Sequence, residues 1–321
     1  MDKSKLENSE TKRDEIVLPY TLSTSSAIYN GWFMECIDAS CPGQAFCLKV
    51  DPNPVTCLKS DYQDIKVLKS ESYGNVLVLD GIINCTERDE CSYQEMMTHL
   101  AMCSHKNPKK VLIIGGGDGG IAREAAKHAC VQRVDQCEID EKVVDVCRDH
   151  LESMSRGYDN DKVDLHIGDG FVFLKERKQE YDVIITDSSD PIGPAEVLFG
   201  LEYYKLLYES LKSGGIIVSQ GESLWIDGGM DYMPELIKEI SSIFPSVDYA
   251  YTYIPSYTTG QIGFILASKD EGTNFRKPVR ILSDVEKSSM NLQYYSEKVH
   301  ESSFVFPRFI QKVLDQCLNR N

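Results

Sequence analysis

A glycine-rich loop directly after an apolar run is the feature that most constrains the fold of this chain. Lys110–Ile114 reads KVLII, and the next six residues, GGGDGG, include five glycines. An uninterrupted apolar run is typical of a strand in a parallel sheet, where both faces are covered. The loop satisfies the pattern G-x-G-x-x-G, in which glycines allow a tight turn and a close approach of the backbone to a ligand. With a helix predicted from Ile121, the segment indicates a nucleotide-binding α/β unit.

Alternation of strands and helices continues after this unit. Further strands are predicted where short apolar runs recur, at Val134–Ile139, Val163–Ile167, Tyr181–Thr186, Ile216–Ser219 and Gln261–Ser268. A helix is predicted over Glu141–Leu151, where apolar residues recur at helical spacing. Strands separated by helix-length segments favour a mostly parallel, doubly wound sheet with helices on both faces.

The segment before Pro108 has a different character. From about Gly31 to Asn84 the pattern is rich in β-strands: QAFCLKV alternates apolar with polar residues, and DIKVLKSESYGNVLVLDGIIN predicts two strands around a Tyr-Gly-Asn turn. A helix near Tyr93–His105 is predicted to connect this antiparallel unit to the larger sheet. Residues 1–28 contain little to bury, so we predict a disordered or loosely ordered tail.

Two acidic residues are predicted to follow neighbouring strands. Glu138 ends the second strand of the α/β unit, about twenty residues after the glycine loop, where a carboxylate can hold both hydroxyls of a ribose. Asp169 follows the third strand, in a suitable position for an adenine amino group. Taken alone, the glycine pattern also fits a turn that binds no ligand. Together with the two acids it indicates a nucleoside pocket.

Asp118, within the glycine loop, restricts the choice of nucleoside ligand. A helix N-terminus carries partial positive charge and ordinarily faces a phosphate or a carboxylate. A carboxylate at this position would repel both the pyrophosphate of NAD and the α-carboxylate of S-adenosylmethionine. It favours a ligand that ends in an ammonium group, as decarboxylated S-adenosylmethionine does. The alternative is that Asp118 is only a helix N-cap.

The segment Asp187-Ser188-Ser189-Asp190-Pro191 follows the fourth strand. In a doubly wound sheet of this type, the first and fourth strands flank the switch point, where ligands bind outside the carboxyl ends. We therefore expect Asp118 and Asp187 to face one cleft, where converging carboxylates are costly unless cations bind between them. The same segment also has good turn chemistry. Hydroxyl and amide groups that could line this cleft belong to Gln63, Tyr93, Gln94, Gln220 and Tyr257.

Composition excludes several classes of partner. A formal charge of −16 argues against nucleic-acid binding, which needs a basic footprint, and fits a cationic substrate. No apolar run approaches a membrane span, and the first residues do not read as a secretory signal, so we expect no membrane partner and a cytoplasmic location.

The eleven scattered cysteines contain no CxxC pair and are predicted to be reduced thiols. The sequence predicts neither a metal site nor a permanently bound cofactor.

Several segments closely resemble the polyamine aminopropyltransferase family, in particular the eukaryotic spermidine synthases. They include NPKKVLIIGGGDGG, CEID, HIGDGF, YDVIITDSSDPIGPAEVLF, QGESLW and YYSEKVHESSFVFPRF. The resemblance runs from about Gly31 to the C-terminus. It implies a small antiparallel β domain at residues 29–90, a methyltransferase-like Rossmann catalytic domain at residues 91–321, and a homodimer.

The resemblance also implies an activity and a set of site residues. The activity is transfer of an aminopropyl group from decarboxylated S-adenosylmethionine to putrescine, which gives spermidine and methylthioadenosine. Asp187 is the implied catalytic carboxylate. The implied donor-binding residues are Gln63, Gln94, Asp118, Glu138, Asp169 and Gly170. The implied diamine-binding residues are Tyr93, Asp187, Ser188, Ser189, Asp190 and Tyr257.

The sequence departs from the family at positions that concern the acceptor amine. Cys41 precedes Pro42-Gly43-Gln44, where the family usually has a tryptophan near the diamine. Thr258 follows Tyr257 where proline is common, and Asn84 replaces a usual glutamine.

Three alternatives remain at this point. A spermine synthase would use the same donor with a longer amine. A diamine N-methyltransferase would use intact S-adenosylmethionine, and Asp118 argues against it. A catalytically silent polyamine-binding or scaffold subunit would not need Tyr93, Asp118, Asp187 and Asp190 together.

Overall fold

Two small antiparallel sheets begin the part of the chain that the computed structural model describes, which is residues 27–36, 41–188, 200–226, 229–318 and 320. The first sheet contains β1 (Ala27–Tyr29), β2 (Trp32–Cys36) and β3 (Ala45–Lys49). The second contains β4 (Thr56–Lys59), β5 (Asp64–Ser70), β6 (Gly74–Leu79) and β7 (Ile82–Thr86). Nearly all of the predicted tail lies outside the described residues, and the domain boundaries stay predictions.

The segment from Asp64 to Thr86 forms three strands where the sequence predicted two. The additional reversal is at Asp80-Gly81, between β6 and β7, and both residues have positive φ, 48° and 88°. An Asp-Gly pair with positive φ at both residues is the signature of a two-residue hairpin turn. The prediction was wrong here because this turn was not recognised within the apolar run.

The helix α1 (Glu90–Ser104) connects these sheets to a larger one. The strands of the larger sheet are β8 (Lys110–Gly115), β9 (Arg133–Glu138), β10 (Val163–Ile167), β11 (Tyr181–Asp187), β12 (Leu211–Gly221), β13 (Ser246–Tyr253) and β14 (Gln261–Ser268). Within the described residues their order is β10-β9-β8-β11-β12-β14-β13. The first five are parallel, and β14 pairs antiparallel with both β12 and β13. The predicted α/β class, with a mostly parallel sheet and a small N-terminal β unit, is confirmed.

Helices cover both faces of the large sheet. After α1 they are α2 (Gly120–Ala126), α3 (Glu141–His150), α4 (Glu152–Ser155), α5 (Gly170–Lys175), α6 (Leu201–Ser210), α7 (Gly229–Ser241), α8 (Asp284–Ser289), α9 (Glu297–Ser302) and α10 (Arg308–Cys317). Successive side chains of β8 point to opposite faces. Val111 and Ile113 accordingly join a core with α1 and α2, whereas Leu112 and Ile114 join one with α6, α7 and α10. No helix among the described residues is long and apolar enough to cross a membrane.

The central strands β8 and β11 bring the glycine loop beside Asp187. They are parallel neighbours, with Gly115 paired to Asp187 in the register. The amide of Gly116 donates to the carbonyl of Asp187 at 2.9 Å. A Cβ atom on Gly115 would lie 2.0 Å from that carbonyl oxygen, so only glycine fits this close approach. The expected meeting of the first and fourth strands is therefore observed.

Candidate active site

A cavity of about 360 Å³ opens at the carboxyl ends of the central strands, against the second antiparallel sheet. The predicted site residues that line it are Gln63, Tyr93, Gln94, Asp118, Glu138, Asp169, Gly170, Asp187, Ser188 and Tyr257. Ser189 and Asp190 lie outside the described residues, so their roles stay predictions. All the predicted site residues that the structure describes therefore meet in one cavity.

One end of the cavity contains a tyrosine–carboxylate pair. The hydroxyl of Tyr93 donates to Oδ1 of Asp187 at 2.6 Å, and Oε1 of Gln220 lies 2.7 Å from the same hydroxyl. Tyr93 is held on α1 and Asp187 ends β11, so the pair joins the helix to the centre of the sheet. The carboxylate is thereby fixed in orientation at the carboxyl end of its strand.

Asp118 faces the same space from the glycine loop. Its Oδ1 accepts hydrogen bonds from the Gly120 amide at 2.6 Å and from Nε2 of Gln94 at 2.8 Å. The N-cap of α2 is Gly119, with φ 83°, and not Asp118. Asp118 is therefore not simply a helix cap, and its carboxylate lines the cavity.

The buried carboxyl groups of the cavity hold protons more tightly than they would in water. Burial raises the pKa of Asp118, and the nearby charge of Asp187 raises it further. Burial also raises the pKa of Asp187, although the Tyr93 hydrogen bond partly opposes this rise. Burial raises the pKa of Glu138 to about 7. A bound cation would favour the ionised forms, so these carboxyl groups suit a cationic ligand.

The nucleoside side of the cavity is formed by residues from both parts of the chain. Oε1 of Glu138 accepts from the Asp140 amide at 2.8 Å. Oδ2 of Asp140 accepts from Nε2 of Gln63 at 2.8 Å, which holds this N-terminal glutamine at the cavity. Asp169 also caps α5, since its Oδ1 accepts from the Phe171 amide at 2.8 Å.

Gly170 and Ser188 also line the cavity, as predicted. Gly170 begins α5, where a Cβ atom would lie 2.5 Å from Cγ2 of Ile114. Ser188 is buried, and its hydroxyl has no hydrogen-bond partner among the described residues. A polar group of this kind is expected to be satisfied by a ligand or by water.

Tyr257 belongs to a loop that is tied to the N-terminal sheets. Its hydroxyl donates to the carbonyl of Asn84 at 2.9 Å. The next residue, Thr258, donates from its hydroxyl to Oε1 of Glu35 at 2.5 Å. Cys41 is buried but is not among the lining residues of the described cavity.

Glu90 also lines the cavity, although it was not among the predicted site residues. Its position carried a usable signal, because Tyr93 and Gln94 follow it by three and four residues. Residues at these spacings share one face of a helix. Once α1 is predicted, Glu90 is therefore expected on the same side as the two residues already assigned to the site.

One group with potential metal ligands lies outside the cavity. Asp135, Asp164 and His166 come together on β9 and β10. The guanidinium of Arg133 already donates to Asp135 at 2.6 Å and to Asp164 at 2.8 Å. Arg133 offsets one of the two negative charges, and Nζ of Lys110 lies 3.4 Å from Oδ2 of Asp135.

The fold and the cavity define a nucleoside-binding α/β protein whose ligand site is lined with acidic groups and suits cations. Residues 90–277 match the family model of the spermine/spermidine synthase domain, and residues 31–87 match that of the spermidine synthase tetramerisation domain. The chain therefore belongs to the spermine/spermidine synthase family, which confirms the resemblance seen in the sequence.

Individual relatives agree with this assignment. The chain is 50% identical over 290 residues to spermidine synthase of Schizosaccharomyces pombe, which covers 90% of this chain and 96% of the relative. It is 44% identical over 296 residues to a spermine synthase of Saccharomyces cerevisiae, with 90% and 97% covered. A crystal structure of spermidine synthase in complex with the transition state analogue AdoDATO superposes with a TM-score of 0.81 at 32% identity, and the match covers 91% of this chain and 97% of that one.

Proposed function

We propose that this chain transfers the aminopropyl group of decarboxylated S-adenosylmethionine to putrescine, giving spermidine and methylthioadenosine. The observation that carries the proposal is the hydrogen bond between Tyr93 and Asp187, in the same cavity as Asp118. The relatives named spermidine synthase, and the structural neighbour with its transition state analogue, support the same reaction.

The cavity offers separate groups for the nucleoside and for the aminopropyl chain of the donor. We assign Glu138 and Asp169 to the ribose and adenine, next to the glycine loop. We assign Asp118 to the ammonium at the end of the aminopropyl chain. This ammonium favours the ionised form of Asp118, and the ionised, buried carboxylate would repel the α-carboxylate of intact S-adenosylmethionine and weaken its binding. The same repulsion disfavours an N-methyltransferase, which would use intact S-adenosylmethionine.

The chemical step requires an unprotonated amine. An alkylamine with a pKa of about 10 is almost wholly protonated at neutral pH. Asp187 accepts a proton from the amine, and a carboxylate with a raised pKa accepts it more readily than one in water. The free nitrogen attacks the methylene carbon of the aminopropyl chain that is bonded to sulfur. The bond between that carbon and sulfur breaks, and methylthioadenosine leaves as a neutral thioether.

Positioning accounts for much of the remaining rate enhancement. The sulfonium is already a good leaving group, so the protein has mainly to hold two cations in reacting geometry. Tyr93 fixes the carboxylate of Asp187, and Tyr257 lines the cavity beside it, with the two rings 6.4 Å apart. We assign both tyrosines, together with Ser188, to the diamine. We assign Gln63, Gln94 and Gly170 to the donor.

Self-association is part of the proposal. Residues 31–87 match a domain described as tetramerising, so we infer that the chain forms an oligomer. The family resemblance implies a homodimer, and sedimentation analysis of the purified protein distinguishes a dimer from a tetramer. A cytoplasmic location and the absence of a permanently bound cofactor also remain proposals.

A single assay tests the proposed reaction. Decarboxylated S-adenosylmethionine is offered with putrescine, cadaverine and spermidine in turn, and methylthioadenosine is measured. We expect putrescine to be the best acceptor. Preference for spermidine would make the chain a spermine synthase, as the relative at 44% identity is named. Methylation of putrescine by intact S-adenosylmethionine, without aminopropyl transfer, would overturn the proposal.

A further inference from the structure

Arg123 of α2 uses every donor of its guanidinium next to the cavity. Its Nε donates to Glu124 at 2.8 Å, and its two terminal nitrogens donate to the carboxylate of Glu90 at 2.9 and 2.8 Å. The remaining two bonds go to the carbonyl of Ser153 at 2.7 Å and to Oε1 of Gln94 at 3.0 Å. A guanidinium has five N–H groups, so none is left over. The side chain is only 10% exposed.

The contact with Arg123 determines which way the Gln94 amide faces. An arginine has no acceptor atom, so the group of Gln94 that meets it must be the amide oxygen. The amide nitrogen then faces the opposite way, where it donates to Oδ1 of Asp118 at 2.8 Å. The orientation of this glutamine is therefore imposed by a residue behind it that is not among the lining residues of the cavity.

The glycine loop leaves the Gln94 amide little alternative room. A Cβ atom on Gly120 would lie 1.8 Å from Oε1 of Gln94, so the amide occupies the space directly over this glycine. The amide of Gly120 also donates to Asp118. Two N–H groups thus hold one carboxylate oxygen, and one of them depends on the orientation that Arg123 sets.

We propose that Arg123 is a positioning residue for the aminopropyl donor, which acts through Gln94 to orient the carboxylate of Asp118. The inference rests on the proposed function, in which Asp118 receives the ammonium end of the donor. Arg123 itself does not touch the donor. Glu90, which lines the cavity and accepts two hydrogen bonds from the guanidinium, holds Arg123 in place.

The test compares two ligands that share the nucleoside and differ in the aminopropyl chain, together with the sulfonium charge that this chain creates. Decarboxylated S-adenosylmethionine carries the aminopropyl chain, whereas methylthioadenosine has the same nucleoside and lacks that chain. In Arg123→Met we expect calorimetry to show about tenfold weaker binding of the decarboxylated donor, as for loss of a hydrogen bond to a charged group. Binding of methylthioadenosine should stay within about twofold, because the nucleoside contacts are intact. Equal weakening of both ligands, or no weakening of either, would overturn the proposal.

A conservative variant guards against misfolding. Arg123→Lys keeps the positive charge between Glu90 and Glu124 but lacks the planar fork that reaches Gln94 as well. It should show the same contrast between the two ligands. Arg276→Met is the matched control, because it removes a guanidinium paired with the buried Asp248 away from the cavity, at 3.0 Å. This control should bind both ligands as the unmodified protein does.

A double-mutant cycle separates positioning from general destabilisation. If Arg123 acts through Gln94, the losses in donor affinity for Arg123→Met and Gln94→Met should be strongly non-additive in the double variant. Additive losses would contradict the proposal. Failure of the unmodified protein to transfer an aminopropyl group would instead refute the proposed function, and the binding contrast could still be measured independently.

Discussion

The hydroxyl of Tyr93 and Oδ1 of Asp187 lie 2.6 Å apart, although the two residues are separated by 94 positions in the chain. The contact joins α1, which leads out of the N-terminal sheets, to the carboxyl end of a central strand. The Tyr93 hydroxyl thereby donates a hydrogen bond to the carboxylate that we assign as proton acceptor.

Removal of this hydroxyl should slow the reaction without unfolding the protein. In Tyr93→Phe we expect kcat to fall by about tenfold to a hundredfold, because Asp187 loses a hydrogen bond that orients it. Steady-state assays with saturating donor and putrescine measure the change. Tyr181→Phe is the matched control, since its hydroxyl donates to Asp135 at 2.9 Å outside the cavity. A loss of equal size in both variants would contradict the assigned role.

The acidic cavity should also affect stability. Burial raises the pKa of Asp118, so the folded protein keeps a proton on this group at pH values where the unfolded chain has released it. Stability from this group is therefore lost as the pH rises above the ordinary aspartate range near 4. Asp118→Asn removes the titrating group. The melting temperature of this variant, relative to that of the unmodified protein, should therefore be higher at pH 8 than at pH 5.

The comparison between the two proteins is necessary because other buried groups titrate in the opposite sense. Burial lowers the pKa of His128 and lowers that of His300 to about 4, so these residues contribute stability as the pH rises through 6.5. Differential scanning calorimetry without ligand should show an advantage for Asp118→Asn of about 3 °C at pH 8. An advantage that is the same at both pH values would argue against the raised pKa.

Donor preference should depend on the same aspartate. The unmodified protein should bind decarboxylated S-adenosylmethionine at least about a hundredfold more tightly than the intact molecule, since only the latter brings a carboxylate to Asp118. Asp118→Asn should narrow this gap, because repulsion of the carboxylate and attraction of the ammonium are both reduced. Competition binding with the two compounds measures it. Equal affinities in the unmodified protein would rule out this account of the donor.

Much of the fold could be predicted from sequence where strands are buried on both faces. The strands β8 and β11 were predicted to within a residue, because their apolar runs end at a glycine and at an aspartate. The strand β13 was not predicted. Its sequence, SVDYAYTY, mixes polar and aromatic residues, and its place at the sheet edge beside β14 depends on tertiary pairing.

The site could be predicted as a set of residues but not as a network. Acids beyond neighbouring parallel strands must converge, so Asp118, Glu138 and Asp187 were found from spacing. The contact between Gln63 and Asp140 spans 77 positions and depends on how the N-terminal sheets lie against the larger one. No local pattern in the sequence contains that information.

Cys41 stands where the family resemblance implies a tryptophan near the diamine, and this difference can be tested. Cys41 is buried, and burial raises the pKa of its thiol, with smaller contributions from the charges of Glu35 and Glu222. Cys41→Trp would restore the larger residue that the family resemblance implies, and we expect it to improve putrescine use and reduce acceptance of longer amines. Kinetics with putrescine, cadaverine and spermidine check this. An unchanged acceptor profile would mean that Cys41 does not affect the diamine site.

The most direct test of the proposed reaction is the turnover of Asp187→Asn, with donor binding measured on the same preparation. An amide cannot accept the proton from the amine, so aminopropyl transfer to putrescine should fall by at least about a hundredfold. Calorimetry should show the decarboxylated donor bound within about threefold of normal, because the nucleoside contacts and Asp118 remain. Near-normal turnover would contradict the assignment of Asp187 as the proton acceptor.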